Sequence, residues 1–205
     1  MNQNTVEKTK ISNRIKIILV ATLFLAPVVI ATVLKFVDWH PATTGNFGEL
    51  IQPARPLTAL EFKTLNDSTV ATFDSEHQWL MLTFATGNCD KYCEGNIYKI
   101  RQAHISMGKY YKRVRRLLVL TSTPSKRLLT ILKSYPDMAV TVGPTKAIRS
   151  LGKQLHTLDG TAMDGLNRLY FIDPLGNFMM TYDKNAEPAG VRKDLRRLLR
   201  VSRIG

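Results

Sequence analysis

The sequence WLMLTFATGNCDKYCEG, residues 79–95, contains the pattern that most directly indicates the fold. Its first seven residues are apolar apart from Thr83 and include two aromatic residues, as expected of a short strand buried on both faces. Cys89 and Cys93 follow closely and are the only cysteines in the chain. The pattern therefore predicts a buried central strand, a cysteine-containing loop and a helix, in that order.

The sequence after this stretch continues as an alternation of helices and strands. The remaining predicted elements are a helix after Glu94, strands at 117–121 and 138–142, helices at 126–134 and 146–155, strands at 168–172 and 177–182, and a final helix at 191–202. The turn composition Asp173-Pro174-Leu175-Gly176 makes the last two strands an antiparallel hairpin. The sequence therefore predicts an α/β fold, a thioredoxin-like mixed sheet flanked by helices.

An uncharged apolar run at residues 17–34 predicts one transmembrane helix before this domain. We assign residues 17–35 to the anchor. The basic residues that precede it are Lys8, Lys10, Arg14 and Lys16, whereas Lys35 alone follows closely. The positive-inside rule then keeps residues 1–16 in the cytoplasm. We therefore expect a single-pass protein of the inner, cytoplasmic membrane with its C-terminal domain in the periplasm. A cleaved signal peptide is the alternative, disfavoured by the length of the run.

Residues 36–57 have the composition of a linker. The segment 40–57 contains three prolines and two glycines with little periodicity, which is typical of an extended connection. We therefore expect the folded domain to cover residues 58–205.

The chain is strongly basic, with 29 Lys and Arg against 16 Asp and Glu and a net charge of +13. Zinc-knuckle spacing is absent and the aromatic residues are scattered, so nucleic acid is not an expected partner. One basic cluster lies on the predicted final helix, and a second contains Lys109, Lys112, Arg113, Arg115 and Arg116. Both suit anionic lipid headgroups or an acidic partner, and a solvated face that binds nothing is the alternative.

Cys89 and Cys93 are the candidate catalytic and metal-binding residues. At a helix N-terminus the free N–H groups and the helix dipole stabilise the thiolate of the first cysteine. Two such thiolates favour disulfide exchange, and they can also bind Cu(I), because soft sulfur ligands select soft ions. A static disulfide that only fixes the loop is the remaining interpretation, although so short a ring gains little loop-closure entropy.

Several of these features together resemble the Sco/SenC family. They are Phe84 ahead of the Cys89-x-x-x-Cys93 pair, the hairpin LYFIDPLGNF at 169–178 and the N-terminal anchor. The resemblance implies an exported thioredoxin-like protein that delivers copper to, or reduces the cysteines of, the binuclear copper site of cytochrome c oxidase. A cytochrome c oxidase subunit or another copper-site protein is then the expected partner.

The sequence departs from this family at three positions. Asp90 and Glu94 stand where the family usually has prolines, and Gly165 stands where the resemblance places a copper-ligating histidine, although the preceding Asp164 matches. Neither His104 nor His156 matches that motif. The resemblance therefore implies a divergent member without the copper-ligand histidine, in which Cys89 and Cys93 alone bind any Cu(I).

The chain is also similar to small membrane proteins found with cytochrome oxidase operons. The shared segments are N-x-G-x-L-I-x-P-x-R-P-L at residues 46–57 and K-D-L-x-R-L-L-x-x-S-x-I-G at residues 193–205. This similarity implies a role in oxidase assembly.

Three interpretations of the whole sequence differ in what the cysteines do. The first is an oxidase assembly factor that acts by copper delivery or thiol reduction. The second is a general exported thiol-disulfide oxidoreductase. It is disfavoured because such enzymes usually carry C-x-x-C and a cis-proline opposite the cysteines, and residues 163–167 contain no proline. The third is a non-redox assembly scaffold.

Overall fold

The computed structural model describes residues 3–37, 39, 45–66, 69–71, 78–143, 146–155 and 167–202. The chain divides into two compact units, Met1–Gly45 and Asn46–Gly205. Each unit is described by itself.

The first unit contains one long helix, α1, which spans Gln3–Phe36. Its segment Asn13–Phe36 has 24 residues, or about 36 Å at the helical rise of 1.5 Å per residue, which exceeds the roughly 30 Å of a bilayer core. The hydroxyls of Thr22 and Thr32 donate hydrogen bonds to the carbonyls of Ile18 and Val28, each at 2.8 Å. This helix is therefore long and apolar enough to cross a membrane once, and it includes the predicted anchor at 17–35.

In its described residues, the second unit contains a six-stranded mixed sheet, a small two-stranded sheet and four α-helices. The strands are β1 (Glu49–Pro56), β2 (Glu61–Lys63), β3 (Thr69–Ala71), β4 (Trp79–Ala85), β5 (Val114–Leu120), β6 (Ala139–Val142), β7 (Leu169–Ile172) and β8 (Asn177–Tyr182). The helices are α2 (Lys91–Ile105), α3 (Lys126–Leu132), α4 (Lys146–Gln154) and α5 (Pro188–Val201), and a 3-10 helix covers Gly108–Arg113.

The larger sheet has the strand order β1-β8-β7-β4-β5-β6. β4 pairs with β5 in parallel and with β7 in antiparallel orientation, so it lies at the centre. All seven of its residues are buried, because successive side chains point to opposite faces of the sheet and both faces are covered. This explains the continuous apolar run WLMLTFA.

Helices cover both faces of the sheet. Met81 on β4 packs in a cluster with residues of α2 and α5, which include Ile97, Ile100 and Leu195. Leu82 on the opposite face packs in a second cluster with residues of α4, which include Leu151. Fully burying a side chain of this size contributes about 1.5–3 kcal/mol, so the two clusters hold β4 and its C-terminal loop in place.

The predicted α/β, thioredoxin-like fold is confirmed, and the predicted elements agree with the observed ones apart from their ends. β5 begins at Val114, three residues before the predicted start at 117. Arg115 and Arg116 belong to the second basic cluster of the sequence, yet both lie within this strand and Arg116 is buried. α5 begins at Pro188 rather than at 191, since proline at the first helical turn is compatible with a helix.

The segment expected to be a linker, residues 36–57, contains a strand that the sequence did not indicate. β1 pairs antiparallel with β8, and its register shifts between Leu50 and Arg55. The sheet-containing unit therefore begins at Asn46 rather than at 58. The prolines that suggested a linker are tolerated because β1 is an edge strand with an irregularity, where a missing N–H donor costs little.

Candidate redox site

Cys89 and Cys93 form a disulfide at the carboxyl end of β4, and their Cα atoms are 5.1 Å apart. Cys93 belongs to the first turn of α2, whereas Cys89 lies in the loop between β4 and α2. Each cysteine is only 1% exposed. The two sulfur atoms therefore lie between the end of β4 and the start of α2, as the sequence predicted, and they are buried.

Gly87 fixes the path of the chain into this site. A Cβ atom at Gly87 would collide with the backbone carbonyl of Thr123, in the loop that follows β5. The N–H of Gly87 donates to Oγ of Ser122 at 2.9 Å, and its carbonyl accepts from the N–H of Ser125 at 2.9 Å. The cysteine loop is thus held against its neighbouring loop by close backbone contact.

The backbone of Cys89 adopts a conformation that is uncommon for a residue with a side chain. Its φ is 48°, in the left-handed region that L-residues other than glycine, asparagine and aspartate rarely visit. Its N–H donates to the carbonyl of Thr86 at 3.1 Å. This tight turn brings Cys89 back toward the first turn of α2.

Asp90 is the N-cap residue of α2 and lies between the two cysteines in sequence. Its Oδ1 accepts a hydrogen bond from the backbone N–H of Cys93 at 2.9 Å. Aspartate is among the preferred N-cap residues because it satisfies an N–H group that has no partner within the helix. The carboxylate therefore fixes the backbone of Cys93 directly.

Two buried asparagines extend this network behind the cysteines. Nδ2 of Asn167 donates to Oδ1 of Asp90 at 3.2 Å, and the carbonyl of Asn167 accepts a hydrogen bond from Nδ2 of Asn96 on α2. Asn167 also donates its N–H to the carbonyl of Phe84 at 2.8 Å. Asn167, which immediately precedes Arg168 and β7, thereby ties the end of β4, the cap and α2 together.

Arg127 of α3 reaches the outer side of the site. It forms an ion pair with Glu94 of α2 and donates a hydrogen bond to the carbonyl of Cys89 at 3.4 Å. Its side chain is 65% exposed, so this ion pair contributes little to stability. Its guanidinium nevertheless places positive charge beside the Cys89 backbone, where it favours a thiolate.

The structure brings together both predicted cysteines, and His104, which is the described one of the two histidines considered with them, contacts Tyr111 instead. Gly165, Asp164 and His156 lie outside the described residues. His104 is in the last turn of α2, where its ring stacks on Tyr111 with centroids 3.9 Å apart and its Nε2 contacts the carbonyl of Tyr111 at 2.8 Å. Burial lowers the pKa of His104 below its ordinary value. Within the described ranges, no group of three or more His, Cys, Asp and Glu side chains could hold a metal ion.

Asn96, Asn167 and Arg127 were not found from the sequence. Asp90 carried a usable signal, since an aspartate immediately before a predicted helix indicates an N-cap. Asn167 carried none, because it contacts Asp90 across 77 positions of the chain.

Residues 79–202 match the protein family described as transmembrane-like, thioredoxin-like, C-terminal domain. No curated protein matches the chain by sequence. Among solved structures, the chain is similar to the apo Sco1 protein of Thermus thermophilus, with 15% identity and a TM-score of 0.59. The match covers 77% of this chain and 99% of that chain.

Two further similar structures represent two kinds of protein. The copper-bound ScoI of Bradyrhizobium japonicum has 19% identity, a TM-score of 0.53 and coverage of 69% of this chain and 98% of that chain. A thiol:disulfide interchange protein from Bacteroides sp. has 10% identity, a TM-score of 0.52 and coverage of 73% and 91%, respectively. At such identities the likeness establishes the fold alone.

Proposed function

The chain belongs to the family of transmembrane-like, thioredoxin-like C-terminal domains, and from that premise we propose a membrane-anchored assembly factor that handles thiols at the copper site of a respiratory cytochrome c oxidase. The observation that supports this function most directly is the Cys89–Cys93 disulfide at the N-terminus of α2. The Sco-like and oxidoreductase structures share this fold, and the sequence resemblance supplies the oxidase as the client.

Thiol reduction is the chemistry that the site supports best. In the dithiol form the Cys89 thiolate attacks one sulfur of a client disulfide, which forms a mixed disulfide and releases one client thiolate. The Cys93 thiolate then attacks the Cys89 sulfur and releases the second client thiolate. Two electrons pass to the client, its two thiolates take protons from water, and the Cys89–Cys93 disulfide forms. An exported dithiol protein must then reduce this disulfide.

The positions of the two cysteines support these roles. Cys93 is fixed in α2 by the hydrogen bond from its N–H to Asp90, whereas Cys89 belongs to the loop and is free of the helix. Since Cys89 is 1% exposed, a client sulfur contacts it only after residues 86–90 move. Cys89 is therefore the attacking cysteine and Cys93 the resolving one.

Delivery of Cu(I) as cargo is the second candidate function, because two adjacent thiolates suit this soft ion and the copper-bound Bradyrhizobium protein shares the fold. Reduction of the disulfide would free both sulfurs. The sequence has glycine at position 165, and His104 contacts Tyr111 instead. Among the described residues, the donor set therefore fits two-coordinate Cu(I) rather than a three-ligand site.

The same proposal includes the location of the chain. Four basic residues precede the apolar run and one follows closely, which favours a cytoplasmic N-terminus in the inner membrane. The thioredoxin-like domain would then lie in the periplasm, where oxidising conditions make a dithiol reductant useful.

Trapping of the client tests this function. In cells that express Cys93→Ser, Cys89 should form a mixed disulfide that is not resolved, so a covalent adduct with an oxidase subunit should appear on non-reducing gels. Cys89→Ser is the matched control and should yield no adduct. Both variants should lower oxidase assembly. Normal oxidase assembly in a variant that lacks both cysteines would indicate that the protein is a scaffold. Adducts of Cys93→Ser with many unrelated proteins would indicate a general oxidoreductase.

A copper titration separates the two candidate chemistries. The reduced full-length chain is titrated with Cu(I) against a competing chelator, beside Cys89→Ser and Gly165→His. One-to-one binding that is lost in Cys89→Ser supports copper delivery. Absence of binding that is restored by Gly165→His supports thiol reduction.

A further inference from the structure

A pocket of about 400 Å³ opens at the opposite end of the sheet from the cysteines. It lies beside the start of β5, and its lining includes Gln78, His104, Tyr111, Lys112, Arg116 and Asp137. Part of the second basic cluster of the sequence, which the proposed function does not use, therefore surrounds a cavity.

Arg116 is the central residue of this pocket. Its side chain is only 2% exposed, because it projects from β5 on the side of the sheet that α2 covers. Its Nε and one terminal nitrogen, NH1, have no hydrogen-bond partner among the described residues. A buried guanidinium with unpaired donors is unfavourable unless an anion or another acceptor satisfies it.

The neighbouring carboxylate satisfies Arg116 only in part. The other terminal nitrogen, NH2, lies 3.4 Å from Oδ2 of Asp137, a long contact for a charge-assisted hydrogen bond. The same oxygen accepts a hydrogen bond from the Tyr111 hydroxyl at 3.0 Å, and the Asp137 side chain is 62% exposed. Asp137 is therefore shared and largely solvated.

The charges around the pocket are predominantly positive. Lys112, Arg115 and Arg116 line it together with Asp137 as the one carboxylate of its described lining. Burial lowers the pKa of Arg116, Tyr111 and Asp137 oppose this shift, and the nearby Arg101 adds to it. An oxyanion is the ligand that this arrangement favours, since guanidinium groups bind phosphoryl oxygens through several hydrogen bonds at once.

We infer that this pocket is an anion site that binds a phosphoryl group, with Arg116 as its main donor and Lys112 at its rim. The phosphoryl group comes from free inorganic phosphate or from a phospholipid headgroup, and both present the same tetrahedral oxygens. Asp137, which also accepts from the Tyr111 hydroxyl, contacts only NH2, so Nε and NH1 are the buried donors that an anion would satisfy. This inference does not depend on the chemistry of the cysteines.

Calorimetric titration of the full-length chain in neutral detergent tests the site. Inorganic phosphate is titrated at constant ionic strength, with chloride as the comparison anion, and saturable one-to-one binding of phosphate is expected. Arg116→Met should weaken binding by at least about tenfold, because a charged hydrogen-bond donor is lost. Asp137→Asn should tighten binding about threefold, because a competing negative charge is removed.

Arg192→Met is the matched control, since Arg192 is an exposed cation on α5 outside the pocket, and it should leave phosphate affinity unchanged. Competition by a soluble short-chain phosphatidylglycerol would identify a headgroup as the source, and absence of competition would identify the free anion. Phosphate binding that is absent, or equal in the wild-type chain, Arg116→Met and Asp137→Asn, would overturn the inference. Asp137→Asn keeps the test decisive if Arg116→Met fails to fold.

Discussion

Asp90 has two roles that oppose each other. Its carboxylate accepts the hydrogen bond from the N–H of Cys93 and a second one from Asn167, so it stabilises the start of α2. In the dithiol form the same negative charge lies next to the thiolates and disfavours them, whereas the helix N-terminus and Arg127 favour them. The reactivity of Cys89 depends on the balance of these charges.

Asp90→Asn separates the two roles, because asparagine is also a good N-cap residue but carries no charge. We expect the alkylation rate of Cys89 at neutral pH to rise about three- to tenfold, since a nearby carboxylate no longer repels the thiolate. The rate is measured with iodoacetamide on the reduced full-length chain. Glu61→Gln, an exposed change in β2, is the control, and an equal rate in Asp90→Asn and the wild-type chain would contradict this account.

The cysteines could be predicted from the sequence and their polar surroundings could not. A pair of cysteines after an apolar run is a local pattern, and a local pattern can be recognised in the sequence alone. Asn96 and Asn167 act through contacts across 71 and 77 positions of the chain, which no spacing rule indicates. The sequence does show glycine at position 165, but that residue lies outside the described part of the chain.

At the scale of elements, α5 and the segment before β1 hold each other through one buried carboxylate. Oδ2 of Asp194 accepts hydrogen bonds from the N–H groups of Phe47 and Gly48 at 2.8 and 3.0 Å, and from the Tyr182 hydroxyl at 2.9 Å. Asp194 is 3% exposed. Gly190 allows the close approach, because a Cβ atom there would lie 2.7 Å from the Phe47 side chain.

Asp194→Ala should lower the free energy of unfolding by about 2–4 kcal/mol, because it leaves two backbone N–H groups and one hydroxyl buried without their acceptor. Chemical denaturation of the full-length chain in detergent, followed by near-ultraviolet circular dichroism, measures the change. Glu187→Ala is the matched control, since Glu187 is exposed and its side chain makes no cap hydrogen bond. A loss no larger than that of the control would mean that the segment is held by packing alone.

This contact joins two segments that the sequence analysis had not connected with each other. The segment at 46–57 and the segment at 193–205 are far apart in the chain, yet Phe47 lies against Gly190 and its ring receives the Lys193 ammonium at 5.1 Å. Hydrophobic periodicity did place α5 correctly. It could not indicate that Asp194 is buried, because an acidic residue in a basic amphipathic helix is normally expected on its solvated face.

At the scale of the whole molecule, the core belongs to the second unit. Both hydrophobic clusters consist of residues after position 50, and the large apolar side chains that the structure describes in α1, from Ile15 to Phe36, are exposed. The anchor was predictable because few structures other than a membrane-spanning helix accommodate a long uncharged apolar run. The start of the domain was harder to predict from the sequence, because β1 is recognised by its pairing with β8 rather than by its composition.

A chain of residues 46–205 should therefore fold without the anchor. We expect its thermal midpoint to lie within about 3 °C of that of the full-length chain, a difference that corresponds to about 1 kcal/mol or less for a domain of this size. Differential scanning calorimetry of both proteins measures this, with a fragment of residues 58–205 as the control. That shorter fragment lacks β1 and the contacts of Asp194 with Phe47 and Gly48, and it should unfold at a clearly lower temperature. Equal midpoints for the two fragments would contradict the assignment of β1.

The burial of the disulfide also has a consequence for how fast and how selectively the protein reacts. With each cysteine 1% exposed, exchange occurs only from an open state, and minor states of this kind are commonly populated at about 0.1–10%. A collision with an unrelated disulfide then fails most of the time. A partner that binds the open loop raises its population and with it the observed rate. Discrimination between clients can therefore come from how well each client binds the open loop, without any specificity in the sulfur chemistry itself.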